Sequence, residues 1–278
     1  MNKFFLRILN NFTRPHKIPV KIFNKINYHF KYKKYNQNIF ENKQNKIFNY
    51  FGLNREEGIK NLNLIKEKSE FNMNKKREMS SEHEVIFSSL SLNQDQSTKN
   101  ILEIGTFDGF NALLLSHLFP DSKIDTIDLH ENDEDYINFY NRKNKIEEFV
   151  QKRNSLLLKN NNINFIPLNS LKLLNHKNKY DLIWIDGAHG YPVVCMDIIN
   201  SLHILKERGV IICDDVNKNI NSTDSDKMYD SIASYETLKE LEKQKLIDFK
   251  LVYKRISPEF NCVENKRMYI AIVQKVDV

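Results

Sequence analysis

From about residue 80 onward the chain alternates short apolar runs with amphipathic segments, and this alternation constrains the fold more than any other feature. The runs NILEI, KIDTI, NINFI, YDLIWI and GVIIC read as strands; GFNALLLSHLF, much of 133–160, YPVVCMDIINSLHILKE and SIASYETLKELEKQ read as helices. Strands that alternate with helices of this length predict an α/β domain with a doubly wound, mostly parallel sheet and helices on both faces. Two more runs, FKLVYKR and RMYIAIVQK, close the chain as an antiparallel edge hairpin and complete a seven-stranded sheet. An N-terminal helical extension over residues 1–75 precedes the main domain at 76–278.

In such a sheet, ligands bind beyond the carboxyl ends of the strands. Polar residues and glycines should therefore follow each apolar run, and they do. Gly105 to Gly109 follow ILEI, Asp128 follows KIDTI, Asp186, Gly187 and His189 follow DLIWI, and Asp214 and Asp215 follow GVIIC. The chain has only seven glycines, so two of them in one short turn mark a backbone that bends sharply or approaches a ligand closely. A dinucleotide turn would read G-x-G-x-x-G. This one, with Glu103, Gly105 and Gly109, reads E-x-G-x-x-x-G with a bulky Phe107 inside, which suits a ligand without a pyrophosphate. Asp128 stands where an acid accepts hydrogen bonds from ribose hydroxyls. Adenosine without a phosphate is the ligand chemistry that fits both features.

The stretches ILEIGTFDGF, TIDL, PLNSLKLL, YDLIWIDGAHGYPVVCMDI and LKERGVIICDD, taken in order, resemble the class I S-adenosylmethionine-dependent methyltransferases, whose fold is Rossmann-like. IDGAHGY followed by DD resembles more narrowly a subgroup of small metal-assisted O-methyltransferases that act on sugars and macrolide sugars. The resemblance implies S-adenosylmethionine as donor, with Glu103, Gly105, Thr106, Gly109 and Asp186 in its cradle. It implies Gly105 beneath the methionine part, Asp128 on the ribose, and Asn169 and Ser170 near the adenine. Asn169 departs from the family, which often has Asp there. The first 75 residues lie outside the resemblance.

Methyl transfer to an alcohol needs alignment and removal of a proton. Asp186, Asp214 and Asp215 come from two strand ends, and clustered carboxylates repel unless one is protonated or a cation lies between them. An all-oxygen set favours Mg²⁺, Mn²⁺ or Ca²⁺. Asp186 is thus expected at both the metal and the reaction, with His189 as general base. Each residue also has a plainer reading. Asp186, Asp214 and Asp108 can cap a turn or helix, His189 can bond the backbone of its turn, and Glu103 can brace the glycine loop.

Charge and cysteine content narrow the remaining choices. Residues 1–40 hold nine basic and no acidic side chains, leaving 33 basic against 36 acidic in the rest. That arm, rich in Lys and aromatics, suits either a membrane surface or nucleic acid, or simple packing on the core, on a twin subunit or as a lid over a substrate pocket. Cys195, Cys213 and Cys262 show no CxxC pairing and read as core residues in a reducing, cytoplasmic protein. No membrane-spanning run or secretory signal is expected. The acceptor expected is a small hydroxyl compound such as a sugar, not nucleic acid, since the body is acidic and N-P-P-Y is absent. The competing readings are an NAD-linked oxidoreductase and a non-catalytic adaptor acting through the basic arm. Homo-oligomerisation through that arm is a further expectation.

Overall fold

The computed structural model describes residues 32, 35–68, 81–93, 98–138, 145–219, 231–262, 264 and 267–276. Most of the basic arm and residues 220–230 of the polar segment after GVIICDD lie outside the described residues. The apolar runs form β1 (Asn100–Ile104), β2 (Lys123–Asp128), β3 (Ile163–Pro167), β4 (Tyr180–Ile185), β5 (Leu205–Val216), β6 (Ile247–Tyr253) and β7 (Tyr269–Lys275). Helices are α1 (Gln37–Tyr50), α2 (Arg55–Lys68), α3 (His83–Ser91), α4 (Phe110–Leu118), α5 (Glu134–Asn138), α6 (Ile146–Leu157), α7 (Val193–Ile204), α8 (Ala233–Lys243) and α9 (Pro258–Asn261). Among the described residues no helix is long and apolar enough to cross a membrane.

The strands make one seven-stranded sheet in the order β3-β2-β1-β4-β5-β7-β6. β1 to β5 run parallel, and β7 is antiparallel to both its neighbours. The closing pair is therefore antiparallel at the sheet edge, with the later strand inside and β6 outermost. A stretch that includes α9 links the two, rather than a tight turn.

Side chains of a strand point alternately to opposite faces, so a strand covered on both faces must be apolar throughout. Ile101, Leu182, Trp184 and Ile212 face a core shared with α3 and α4. Leu102, Ile183, Ile185 and Ile211 face a second core shared with α7 and α8. This two-sided burial explains why YDLIWI and GVIIC lack the polar alternation of a surface strand.

Part of the first core comes from far upstream. Phe48 of α1 and Leu62 of α2 are buried in the same cluster as the strands. Gln44, fully buried, docks α1 on the outermost strand. Its Nε2 donates to the Tyr253 carbonyl at 2.9 Å and its Oε1 accepts from the Tyr253 amide at 2.8 Å. The side-chain amide thus replaces the missing neighbour strand at that point and blunts an exposed edge. Arg55 of α2 adds a two-bond pair to Glu82 at 2.8 and 2.7 Å.

Ile104 pairs with Ile127 on one side and Ile185 on the other, and Ile185 pairs with Cys213. The carboxyl ends of β1, β2, β4 and β5 are therefore level. Chain direction across the sheet reverses between β1 and β4, which opens a crevice at that end.

Candidate active site

The turn after β1 forms the floor of the crevice. Gly105 has φ 100°, in the region that favours glycine, and a Cβ there would lie 2.3 Å from the Asp186 carbonyl oxygen. The glycine therefore lets the β1 turn press directly against the end of β4. Gly109, at φ 80°, ends the turn against Leu157 of α6, where a Cβ would come within 2.9 Å. Between them Phe107 is 44% exposed and meets the Phe149 ring at 5.4 Å.

Beneath the turn runs a buried polar chain. Thr106 and Thr126 share a hydroxyl hydrogen bond of 2.7 Å, and Thr126 donates to Glu103 Oε2 at 2.5 Å. Glu103 has no exposed surface, and its Oε1 finds no hydrogen-bond partner among the described residues. Burial pushes its pKa up to about 8, helped by the charges of Asp108 and Asp128 and opposed by the Thr126 hydrogen bond. Thr106 and Glu103 thus face inward, under the turn. Asp108 accepts from the Phe110 amide at 3.0 Å, where α4 begins.

Asp128, partly exposed at the end of β2, ties two segments together. Its Oδ2 accepts from the Phe107 amide at 3.0 Å and its Oδ1 from the Leu129 amide at 2.8 Å. Asn169 caps the short 3-10 turn Ser170–Asn175 by accepting from the Leu171 amide at 3.0 Å. The Ser170 carbonyl accepts from Asn200 of α7 at 3.3 Å, anchoring this loop to the neighbouring helix.

Across the crevice lie the acids. Asp186 Oδ1 is 3.7 Å from His189 Nε2, which is 3.6 Å from Asp215 Oδ2. Single ligand atoms of these three residues lie within 4.8 Å of one another, close enough to hold one metal ion. Their chemistry, two carboxylate oxygens and one imidazole nitrogen, fits a divalent ion of the Mn²⁺ or Mg²⁺ kind. Burial raises the Asp186 pKa well above the ordinary carboxylate range, with Asp214 adding to the effect. Burial likewise lowers that of His189, against the opposite pull of Asp215 and Asp214, so the imidazole is neutral at neutral pH.

Asp214 and Asp215 stand where the β5–β7 register shifts, and Asp215 has a left-handed φ of 48°. Such irregularities re-aim side chains. In a regular strand two successive carboxylates would point to opposite faces; here both reach one ammonium. Lys254, just after β6, donates to Asp214 Oδ2 at 2.6 Å and also to Asp215 Oδ1. Asp214 is thereby drawn to Lys254, and the third residue gathered with Asp186 and Asp215 is His189. Lys254 was not legible as a site residue, because the signal that finds it is the position of β7 between β5 and β6.

The model of a methyltransferase domain matches residues 102–216, from β1 to the end of β5. No curated protein sequence matches the chain. A crystal structure from Staphylococcus aureus, of a protein provisionally assigned as a caffeoyl-CoA O-methyltransferase, is 19% identical with a TM-score of 0.50; the match covers 77% of this chain and 91% of that one. The Streptomyces achromogenes O-methyltransferase TomG, solved with S-adenosylmethionine, is 14% identical with a TM-score of 0.47, covering 85% of this chain and 98% of its own. At these identities the likeness is one of fold. Residues 102–216, from β1 to β5, thus match a methyltransferase domain, and the fold, with its crevice at the carboxyl ends of those strands, is the one shared with the Staphylococcus aureus structure.

Proposed function

We propose that this protein is an S-adenosylmethionine-dependent methyltransferase that transfers the methyl group to a hydroxyl of a small polyol-like metabolite, such as a sugar. The observation that carries the reading is the contact between the two halves of the crevice: the Gly105 turn abuts the backbone of Asp186, whose carboxylate stands with His189 and Asp215. A donor lying over Gly105, with its ribose on Asp128, would present its methyl group beside those side chains.

The donor's sulfonium activates its methyl carbon; attack by the acceptor oxygen breaks the carbon–sulfur bond and leaves S-adenosylhomocysteine. The acceptor proton needs a base as the new bond forms. In this reading His189, held neutral by burial, takes it at Nε2, and the carboxylates of Asp186 and Asp215 stabilise the resulting imidazolium. A divalent ion on Asp186, His189 and Asp215 would lower the hydroxyl pKa and fix two acceptor oxygens. An imidazole that ligates an ion through Nε2 cannot also accept the proton there, so the two roles for His189 exclude each other.

Calorimetric titration with S-adenosylhomocysteine, with NAD as the comparison, tests the donor assignment. Selective binding of the former supports the reading and justifies an acceptor screen that begins with sugars; binding of NAD instead rejects it. Repeating turnover with Mn²⁺ and with chelator separates the roles of His189. Loss of activity on chelation favours the ligand, and unchanged activity favours the base.

A further inference from the structure

A buried lysine stands where the sequence leads one to expect only a metal ion. Lys254 is 7% exposed, and its ammonium bonds Asp214 Oδ2 at 2.6 Å and Asp215 Oδ1. The other oxygen of Asp215 faces His189 Nε2 at 3.6 Å, within the trio that fits a divalent ion. One carboxylate therefore has the ammonium on one oxygen and the candidate ion position on the other. Two cations sharing a buried carboxylate repel each other and compete for its charge.

The lysine is also fixed. Its amide donates to the Met268 carbonyl at 2.9 Å, and its carbonyl accepts from the Glu82 amide at 3.0 Å. Tyr253, beside it, is held at both backbone groups by Gln44 of α1 at 2.8 and 2.9 Å. The N-terminal helices thus clamp the end of β6 that delivers the ammonium. With its backbone held and both oxygen partners buried, the side chain has little freedom to swing aside for an incoming ion.

We propose that Lys254 is a built-in counter-ion and positioning residue of this site: its ammonium keeps Asp214 and Asp215 assembled without a metal and makes divalent binding weak and exchangeable. It orients Asp215 toward His189 and has no contact with the reacting atoms. The inference rests on the metal-binding part of the proposed function, and it is independent of donor binding.

The test is calorimetric titration of the full-length protein with Mn²⁺ in the presence of S-adenosylhomocysteine, comparing wild type with Lys254→Met, Lys254→Gln and Lys254→Arg. Removing the positive charge should tighten Mn²⁺ binding by about tenfold or more in the Met and Gln variants, while Arg stays close to wild type. A purely structural lysine gives the opposite sign, because a disordered Asp215 would bind the ion less well. Gln keeps one hydrogen bond to the acids and serves if the Met variant fails to fold. Binding by the neutral variants but not by wild type supports the inference, with the lysine supplanting the ion altogether. Equal or weaker Mn²⁺ binding in folded neutral variants overturns it. Absence of binding in every protein overturns it together with the metal reading, whereas retained S-adenosylhomocysteine binding leaves the methyltransferase assignment intact.

Discussion

Glu103 sits beneath the donor turn with no exposed surface and, among the described residues, one oxygen unpaired, and burial of that kind favours the neutral acid. Its pKa rises from an ordinary 4.5 to about 8 in the folded protein. The folded state therefore binds more protons than the unfolded chain between these values, and stability falls as pH rises through that window and levels off above it. Glu103→Gln imitates the protonated acid and should flatten this slope, gaining about 1–3 kcal/mol over wild type near pH 8. Melting curves of both proteins from pH 5 to 9 check the expectation, which fails if the two profiles run parallel. Asp128 is different, since both its oxygens hold backbone amides at the end of β2, and in the proposed reading it also takes the ribose. Asp128→Ala should weaken S-adenosylhomocysteine binding by about 1.5–3 kcal/mol, tenfold or more, read by calorimetry. The place of Asp128 at a strand end was legible in sequence because it directly follows an apolar run. Lys254 was not, because it meets Asp214 from the end of a different strand.

Elements show the same division. Strands buried on both faces announce themselves as continuous apolar runs, and the five parallel strands appear where NILEI, KIDTI, NINFI, YDLIWI and GVIIC stand. The antiparallel pairing of β6 and β7 was also legible, but their order in the sheet was not. Either strand can pair with β5, and the choice depends on long-range packing that no local pattern encodes. The register shift at Asp214 and Asp215 was likewise hidden, since IICDD reads as an ordinary strand ending in acids. Nor does α1 announce its partner: within a polar helix Gln44 bonds Tyr253, Tyr50 donates to Asp248 at 2.6 Å and Phe40 packs on Tyr253, and together they dock it on β6. Gln44→Ala leaves a buried amide and carbonyl of Tyr253 without those bonds and should destabilise the protein by about 2–4 kcal/mol. Urea unfolding measures the loss, and hydrogen exchange should show its largest increase at the end of β6. An unchanged midpoint would mean that the edge is held by other contacts.

For the molecule as a whole, the question is whether the upstream helices are an appendage or part of the folding unit. The matched methyltransferase segment begins at residue 102, yet Phe48 and Leu62 share one core with Trp184 and Ile212. Trp184, the sole tryptophan, is fully buried and packs edge-on against Phe87 at 5.1 Å. Its fluorescence reports on the face that the upstream helices help to cover. A chain beginning at Ser81 would strip Phe48, Leu53 and Leu62 from that core and remove Gln44 from the edge strand. Buried aromatic and aliphatic side chains each contribute about 1.5–3 kcal/mol, comparable in sum with the whole stability of an ordinary domain. The shortened chain should therefore lose cooperative unfolding, shift Trp184 emission toward that of exposed indole, and bind S-adenosylhomocysteine poorly. If it instead melts in one sharp transition with the donor affinity of the full chain, the upstream helices are separable. Lys254 would then have to hold its acids without the α1 clamp, and the coupling between the N-terminal layer and the crevice would be broken at its first link.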